Sequence, residues 1–339
     1  MDFGLSPDQT DLVSAVATLL ERHAGAERAR VVREAGGFDA ELMDALLDGG
    51  FLDTDLEGAG ALEAVLVTEA VAKAAGCVPA GARSLVVPAV LGAADRPRVA
   101  ALVPDGAGLT RYAAAADVLL LVGGDAATSG DAPPADSATA SGDAPRADSA
   151  TTRDAPPAAQ GAAAVPAADA LVTPEASMFG FPLARVDTNR AAGSAIDGDA
   201  LIRWWRIAVA AELVGTMDAA LDMTVEHLRE RRQFGRPLGS FQALQHRLSE
   251  LHIGVEGARW LVRYAAAGGA GAEDAAGAAA YASMVAESIT RETHQLSGAM
   301  GLTEEYDLYV WTMRLPTLRL ELGDAGAHQA ALARARWAA

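Results

Sequence analysis

The chain has 339 residues, 51% of them hydrophobic, which is enough for two or three domains and a sizeable core. Its 45 acidic against 27 basic residues leave a formal net charge of -18, which excludes the broad basic face a nucleic-acid partner needs; a phosphate-bearing ligand would require arginines clustered locally. Cys77 is the only cysteine, the N-terminus lacks a basic stretch followed by an apolar run, and no apolar stretch approaches the ~20 residues that cross a bilayer, so the expected location is the cytoplasm.

The first 97 residues read as a helical domain. Ser6-Pro7-Asp8-Gln9 is a capping-box start with proline at the first helical position, and Leu12, Val13, Val16, Leu19 and Leu20 then recur at helical spacing. A second amphipathic segment runs from Ala40 to Leu47 and stops at Gly49-Gly50; a third runs from Leu62 through Ala75, ahead of Pro79. Gly58-Ala59-Gly60 follows no strand and reads as a turn rather than a dinucleotide loop.

A middle β-domain is expected over residues 98–196. Val99 to Val103 and Val118 to Val122 are short apolar runs, bounded by Pro104-Asp105-Gly106 and Gly123-Gly124, as buried strands are. The twelve residues from Ser129 to Ala140 then repeat almost verbatim from Ser141 to Thr152, and a third, partial copy begins at Arg153. So short a repeat, poor in large apolar residues, cannot bury enough surface to offset its ordering entropy; a disordered insertion is expected at about 128–162. Strand patterns resume at Ala170 to Thr173 and at Phe181 to Val186.

Residues 197–339 read as a helical bundle, with long periodic segments over Asp197 to Arg232, Ser240 to Ala267 and Ala275 to Ser297. The first two are joined by Arg231-Arg232-Gln233-Phe234-Gly235-Arg236-Pro237-Leu238-Gly239-Ser240-Phe241-Gln242. Here Gly235 can take a left-handed cap and Pro237 stops the first helix from continuing. This string closely resembles the helix-to-helix corner of the flavin-dependent acyl-CoA dehydrogenases, and Met1 to Ser6 resembles that family's N-terminus. The resemblance implies an α+β, mostly α fold: an N-terminal helical domain, a middle β-domain and a C-terminal bundle. It also implies FAD, contacted across a subunit interface by Arg231, Gln233, Phe234 and Gln242. The segment Gln295-Leu296-Ser297-Gly298-Ala299-Met300-Gly301-Leu302-Thr303-Glu304-Glu305-Tyr306 resembles the family element whose backbone approaches the flavin pyrophosphate. It adds Gln295, Gly298 and Ala299 to the expected cofactor contacts, although Ala299 stands where the family has a second glycine.

Two departures bear on chemistry. The family's Thr-Glu-Pro-like loop and Trp-bearing segment, which cover the flavin ring and substrate, are absent, so the middle domain is expected in reduced form. The family's base is a glutamate that removes the proton α to a thioester carbonyl while the β-hydrogen leaves as hydride to the flavin. Counting from Tyr306, its position here is Leu322; the alternative position on the long helix, counted back from Phe234, is Arg206. Glu321 is adjacent to the first, but one residue of helical rotation turns a side chain by about 100°.

Other chemistries have little support. His246 and His252 each have a glutamate four residues on, but no third ligand at metal spacing; there is no Gly-x-Ser-x-Gly elbow; and Trp204-Trp205 reads as core or interface. Three functions therefore stand open. The first is the base-lacking subunit of a heteromeric FAD-dependent α,β-dehydrogenase of acyl thioesters, completed by a glutamate-bearing paralogue. The second is a self-sufficient dehydrogenase acting on an acyl-CoA or an acyl-carrier protein, with Glu321 as base, in a biosynthetic pathway. The third is a flavin-free scaffold. The family also implies an oligomer and an electron-transfer flavoprotein as acceptor.

Overall fold

A computed structural model describes residues 4–54, 60–92, 96–104, 107–122, 161–178, 180–188 and 191–337. The expected insertion at about 128–162 lies outside the described residues, except that Ala162 opens a strand.

Helix α1 (Pro7–His23) starts as its sequence dictates: the Ser6 side chain accepts the Gln9 N–H at 3.2 Å, and the Gln9 side chain accepts the Ser6 N–H at 3.0 Å. Its Val16 and Leu20 pack on Leu42, Met43 and Leu46 of α3 (Ala40–Asp48), which ends at Gly49 as expected. Between them lies α2 (Ala26–Glu34), whose buried residues are only Ala29 and Val32, too sparse a stripe to stand out in sequence. Helix α4 (Ala61–Lys73) is buried along most of its length. A π-helical turn, Ala82–Val86, runs into the short α5 (Val87–Leu91).

The β segment forms two small sheets. In the first, β1 (Ala100–Val103) lies parallel to β3 (Val118–Val122), which pairs antiparallel with β4 (Ala162–Pro166), and β4 in turn with β7 (Ser194–Ile196). The second is antiparallel, in the order β2 (Ala107–Arg111), β6 (Leu183–Asp187), β5 (Leu171–Glu175). The strands expected around Val99–Val103, Val118–Val122, Ala170–Thr173 and Phe181–Val186 are all present; β2, β4 and β7 were missed because alanine, glycine and threonine carry no apolar run.

The bundle is organised around α6 (Gly198–Glu230), capped by Asp197, whose carboxylate accepts the Ala200 N–H at 2.9 Å. Helices α4, α7 (Gln242–Ala267) and α8 (Ala272–Ser297) all pack on it, so most of its circumference is apolar. Along the α4–α6 seam the backbones nearly touch: a Cβ on Gly215 would lie 2.1 Å from the Glu69 carbonyl oxygen. Three further helices, α9 (Tyr309–Thr312), α10 (Leu315–Leu320) and α11 (Ala325–Trp337), close the chain, the last two against α8. The result is an α+β fold, mostly α. Among the described residues no helix is long and apolar enough to cross a membrane.

Candidate functional site

One end of the bundle gathers the residues singled out in sequence. Helix α6 stops at Glu230 because Arg231 turns to extended backbone while still donating its N–H to the His227 carbonyl. A two-residue ribbon follows, β8 (Arg232–Gln233) against β9 (Arg236–Pro237), with Phe234 at φ 54° and Gly235 at φ 79° at its tip. The left-handed position thus falls on phenylalanine as well as glycine, at a cost of order 1 kcal/mol, and the Phe234 ring is 87% exposed. Arg236 lies over the Phe241 ring at 3.9 Å from its centre, and Phe234 meets the same ring edge-on at 6.0 Å. Arg231 and Arg232 are exposed and make no salt bridge to any described residue.

The end of α8 lies beside this corner. Arg247 of α7 donates to Glu292 of α8 at 2.8 Å, tying the start of one helix to the end of the other. Gln295, Gly298 and Ala299 are exposed there, as is Gln242 at the first position of α7. Gly298 caps α8 at φ 62° and ψ -145°, a conformation open to glycine alone without strain. Tyr306 donates its hydroxyl to the Met223 carbonyl at 2.7 Å, holding the following segment on α6, and its ring lies 5.4 Å from His227. Burial, and then the Arg231 charge, lowers the His227 pKa, so this imidazole is neutral at pH 7. The face presents unpaired guanidiniums, side-chain amides and a glycine cap in a chain of strongly negative charge. That donor set fits an anion such as a pyrophosphate.

A second cluster lies inside the fold. Arg111, at the end of β2, donates through Nε to Glu321 at 2.6 Å and through Nη1 to Glu212 at 2.7 Å; Trp205 donates its indole N–H to the other Glu321 oxygen at 2.7 Å. Burial disfavours the Arg111 charge, but the two carboxylates outweigh it and hold the guanidinium above its ordinary range. Burial pushes the Glu212 carboxyl up, since one cation serves two acids. Arg111 also stacks on Phe181, 4.7 Å from the ring centre, and Arg314 stacks on the same ring at 5.2 Å while donating to the Ala75 and Gly76 carbonyls. Tyr112, left-handed at φ 60°, completes an edge-to-face row with Phe38 and Phe181. The space between Tyr112, Phe181, Glu212 and Arg314 is about 10 Å³, room for one water.

The candidate base positions converge beside this cluster. Leu322 and Arg206, far apart in sequence, line one narrow space with His328 and Ser283 that is too small for a water molecule. Leu322 is buried at φ 60°. Arg206 is buried, its Nε has no hydrogen-bond partner, and burial followed by the Arg334 charge lowers its pKa to about 10, so it is still a cation at pH 7. Both Glu321 oxygens are engaged as described. Sequence reasoning missed Arg111 and Glu212, and read Trp205 as core without its bond to Glu321; Glu212, the sole charge between Arg206 and Asp218 on an otherwise apolar stretch of α6, was the available signal of a buried ion pair. Among the described residues no group of three or more His, Cys, Asp or Glu is placed to hold a metal ion.

Comparison with known proteins bears on the fold. The sequence profile of the acyl-CoA dehydrogenase C-terminal domain matches residues 198–336. Acyl-CoA dehydrogenase IpdE2 of Mycolicibacterium smegmatis is 39% identical over 106 residues, 31% of this chain and 34% of that protein. The short-chain-specific acyl-CoA dehydrogenase of Megasphaera elsdenii is 42% identical over 105 residues, 30% of this chain and 27% of its own, so the chain spans about a third or less of the length of these curated relatives. In fold the likeness runs the whole length: a chain of the ChsE4-ChsE5 complex from Mycobacterium tuberculosis superposes with a TM-score of 0.75 at 21% identity, covering 98% of both chains. The bundle, residues 198–336, thus matches the acyl-CoA dehydrogenase C-terminal domain, and the chain as a whole shares the fold of these structures.

Proposed function

We propose that this chain is the subunit of a heteromeric, FAD-dependent α,β-dehydrogenase of acyl thioesters that lacks the catalytic base, and that a glutamate-bearing paralogue supplies it. The observation that carries the reading is the capture of Glu321: an ion pair to Arg111 engages one oxygen and the Trp205 indole N–H the other, in a buried setting. A base must reach the proton it removes. Leu322 has no acceptor, and Arg206 is cationic. The ChsE4-ChsE5 complex, named for two different chains, is a precedent in this fold for such an assembly.

FAD, when bound, accepts the substrate's β-hydrogen as hydride. This chain's part is to hold it. Arg231 and Gln233 would donate to the pyrophosphate, Phe234 would pack against the cofactor or the neighbouring subunit, and Gln295 with the backbone at Gly298 and Ala299 would close over the phosphates. The closed cluster around Arg111 leaves no room for a flavin ring beside Glu321 in this chain, so the ring would sit in the partner. The acyl group would be presented there on CoA or on a carrier protein.

The test is to purify the chain alone and co-expressed with a paralogue that carries the glutamate, and to measure visible flavin absorption and acyl-thioester oxidation. The expected result is no turnover alone even with added FAD and an artificial acceptor, turnover of the pair, and near-silence of Glu321→Gln in the pair. Turnover by the isolated chain that Glu321→Gln abolishes with flavin retained would instead establish the self-sufficient enzyme.

A further inference from the structure

The α4–α6 seam has two sides. Thr68, Ala72, Glu212 and Thr216 face the closed Arg111 cluster, whereas Glu69, Lys73, Gly215 and Asp218, one residue or one turn along, face the opposite way. On that opposite side α1 and α7 stand apart, and the four helices border an open cavity of about 740 Å³. Its volume lies within the roughly 300–1,000 Å³ of small-molecule sites. Neither the corner from Arg231 to Gln242 nor the run from Gln295 to Tyr306 contributes to its lining.

The walls decide what it can hold. One side is apolar, from Val13, Ala17 and Leu20 of α1 and Leu66 and Ala70 of α4. The other carries Lys73, Arg259 and Arg263, but every one of these cations is already taken. Lys73, the chain's only lysine, holds Asp218 at 2.8 Å and Asp222 at 2.7 Å; Arg259 holds Asp218 at 2.9 Å and also Glu256; Arg263 holds the buried Glu69 at 2.6 Å. At the rim Glu21 makes no salt bridge to any described residue, so the lining has four carboxylates against three cations. An anionic ligand would have to break an existing pair or sit unpaired against excess negative charge. An apolar body, by contrast, gains by covering the wet apolar wall.

We propose that this cavity binds an apolar small molecule that carries no negative charge, at a site separate from the acyl thioester and the flavin, both of which are anionic.

Two fluorophores with nearly the same skeleton test this: neutral N-phenyl-1-naphthylamine and anionic 1-anilinonaphthalene-8-sulfonate, each titrated into the purified protein in its assembled state. The neutral probe should bind at one site per chain, and the sulfonate at least about tenfold more weakly, the equivalent of an unpaired charge. Ala17→Trp and Ala70→Trp, each filling the cavity from a different helix, should each abolish neutral-probe binding without shifting the melting temperature. Tyr264→Ser, on an exposed apolar stripe of α7, should leave it intact. Equal affinity for the two probes, binding that survives both tryptophan variants, or no binding of the neutral probe would each overturn the proposal.

Discussion

Arg111 and Glu321 are 210 positions apart in sequence, and their charged atoms meet at 2.6 Å. The contact joins the second small sheet to the loop between α10 and α11, and through Glu212 it reaches the middle of α6. Glu321 therefore serves as a tertiary clasp.

Arg111→Met should expose that role. Removing the guanidinium leaves two buried carboxylates without a counter-ion, a loss of about 3–5 kcal/mol by urea denaturation at neutral pH. The deficit should be smaller at pH 5 than at pH 8. Burial already pushes the Glu212 carboxyl up, and an acid with a raised folded pKa contributes stability that is full below its unfolded pKa and lost as pH rises through the folded one. A deficit independent of pH would mean that packing, not charge, is what Arg111 supplies.

The α4–α6 seam makes a sharper claim. With a Cβ at position 215 only 2.1 Å from the backbone oxygen of Glu69, Gly215→Ala must push the helices apart. Despite alanine's better helix propensity, the variant should be destabilised by about 1–3 kcal/mol or more. An unchanged or higher Tm in a circular-dichroism melt would refute the seam as described.

His328 is a third handle. It is buried on α11, and burial, with Arg206 of α6 adding to it and Asp324 opposing, lowers its pKa to about 4 from an ordinary 6.5. Because the folded pKa is depressed, the neutral ring's contribution is complete above 6.5 and is lost as pH falls toward 4. By linkage the loss is about 2 kcal/mol by pH 5. His328→Gln should flatten the stability profile between pH 6.5 and 5, before most carboxylates titrate; a profile as steep as that of the unaltered chain would assign the slope to other groups.

Arg231→Ala addresses the cofactor face. The side chain is exposed and makes no salt bridge to any described residue, so its loss should leave Tm unchanged while lowering the flavin content of the co-purified assembly through a lost charge-assisted contact. Flavin content equal to that of the unaltered assembly would return the corner to a purely structural role.

The features legible in sequence were local. Ser6 to Gln9 carry a helix start in four residues, Gly49 a stop, and the long apolar periodicities of α6, α7 and α8 a bundle. The corner from Arg231 to Gln242 and the run from Gln295 to Tyr306 are contiguous, so their order alone identifies them. Elements with weak local signals were missed, among them α2 with two buried residues and strands built of alanine and glycine, whose structure comes from what covers them. The site divides the same way. That position 322 holds leucine and position 206 arginine was plain from counting, and it determined which residues cannot act as a base. Whether Glu321 could act instead was not, because its answer depends on Arg111 and Trp205, which no spacing rule connects to it. Helix periodicity depends on neighbours three and four residues away, whereas burial of a charge depends on what the completed fold brings beside it.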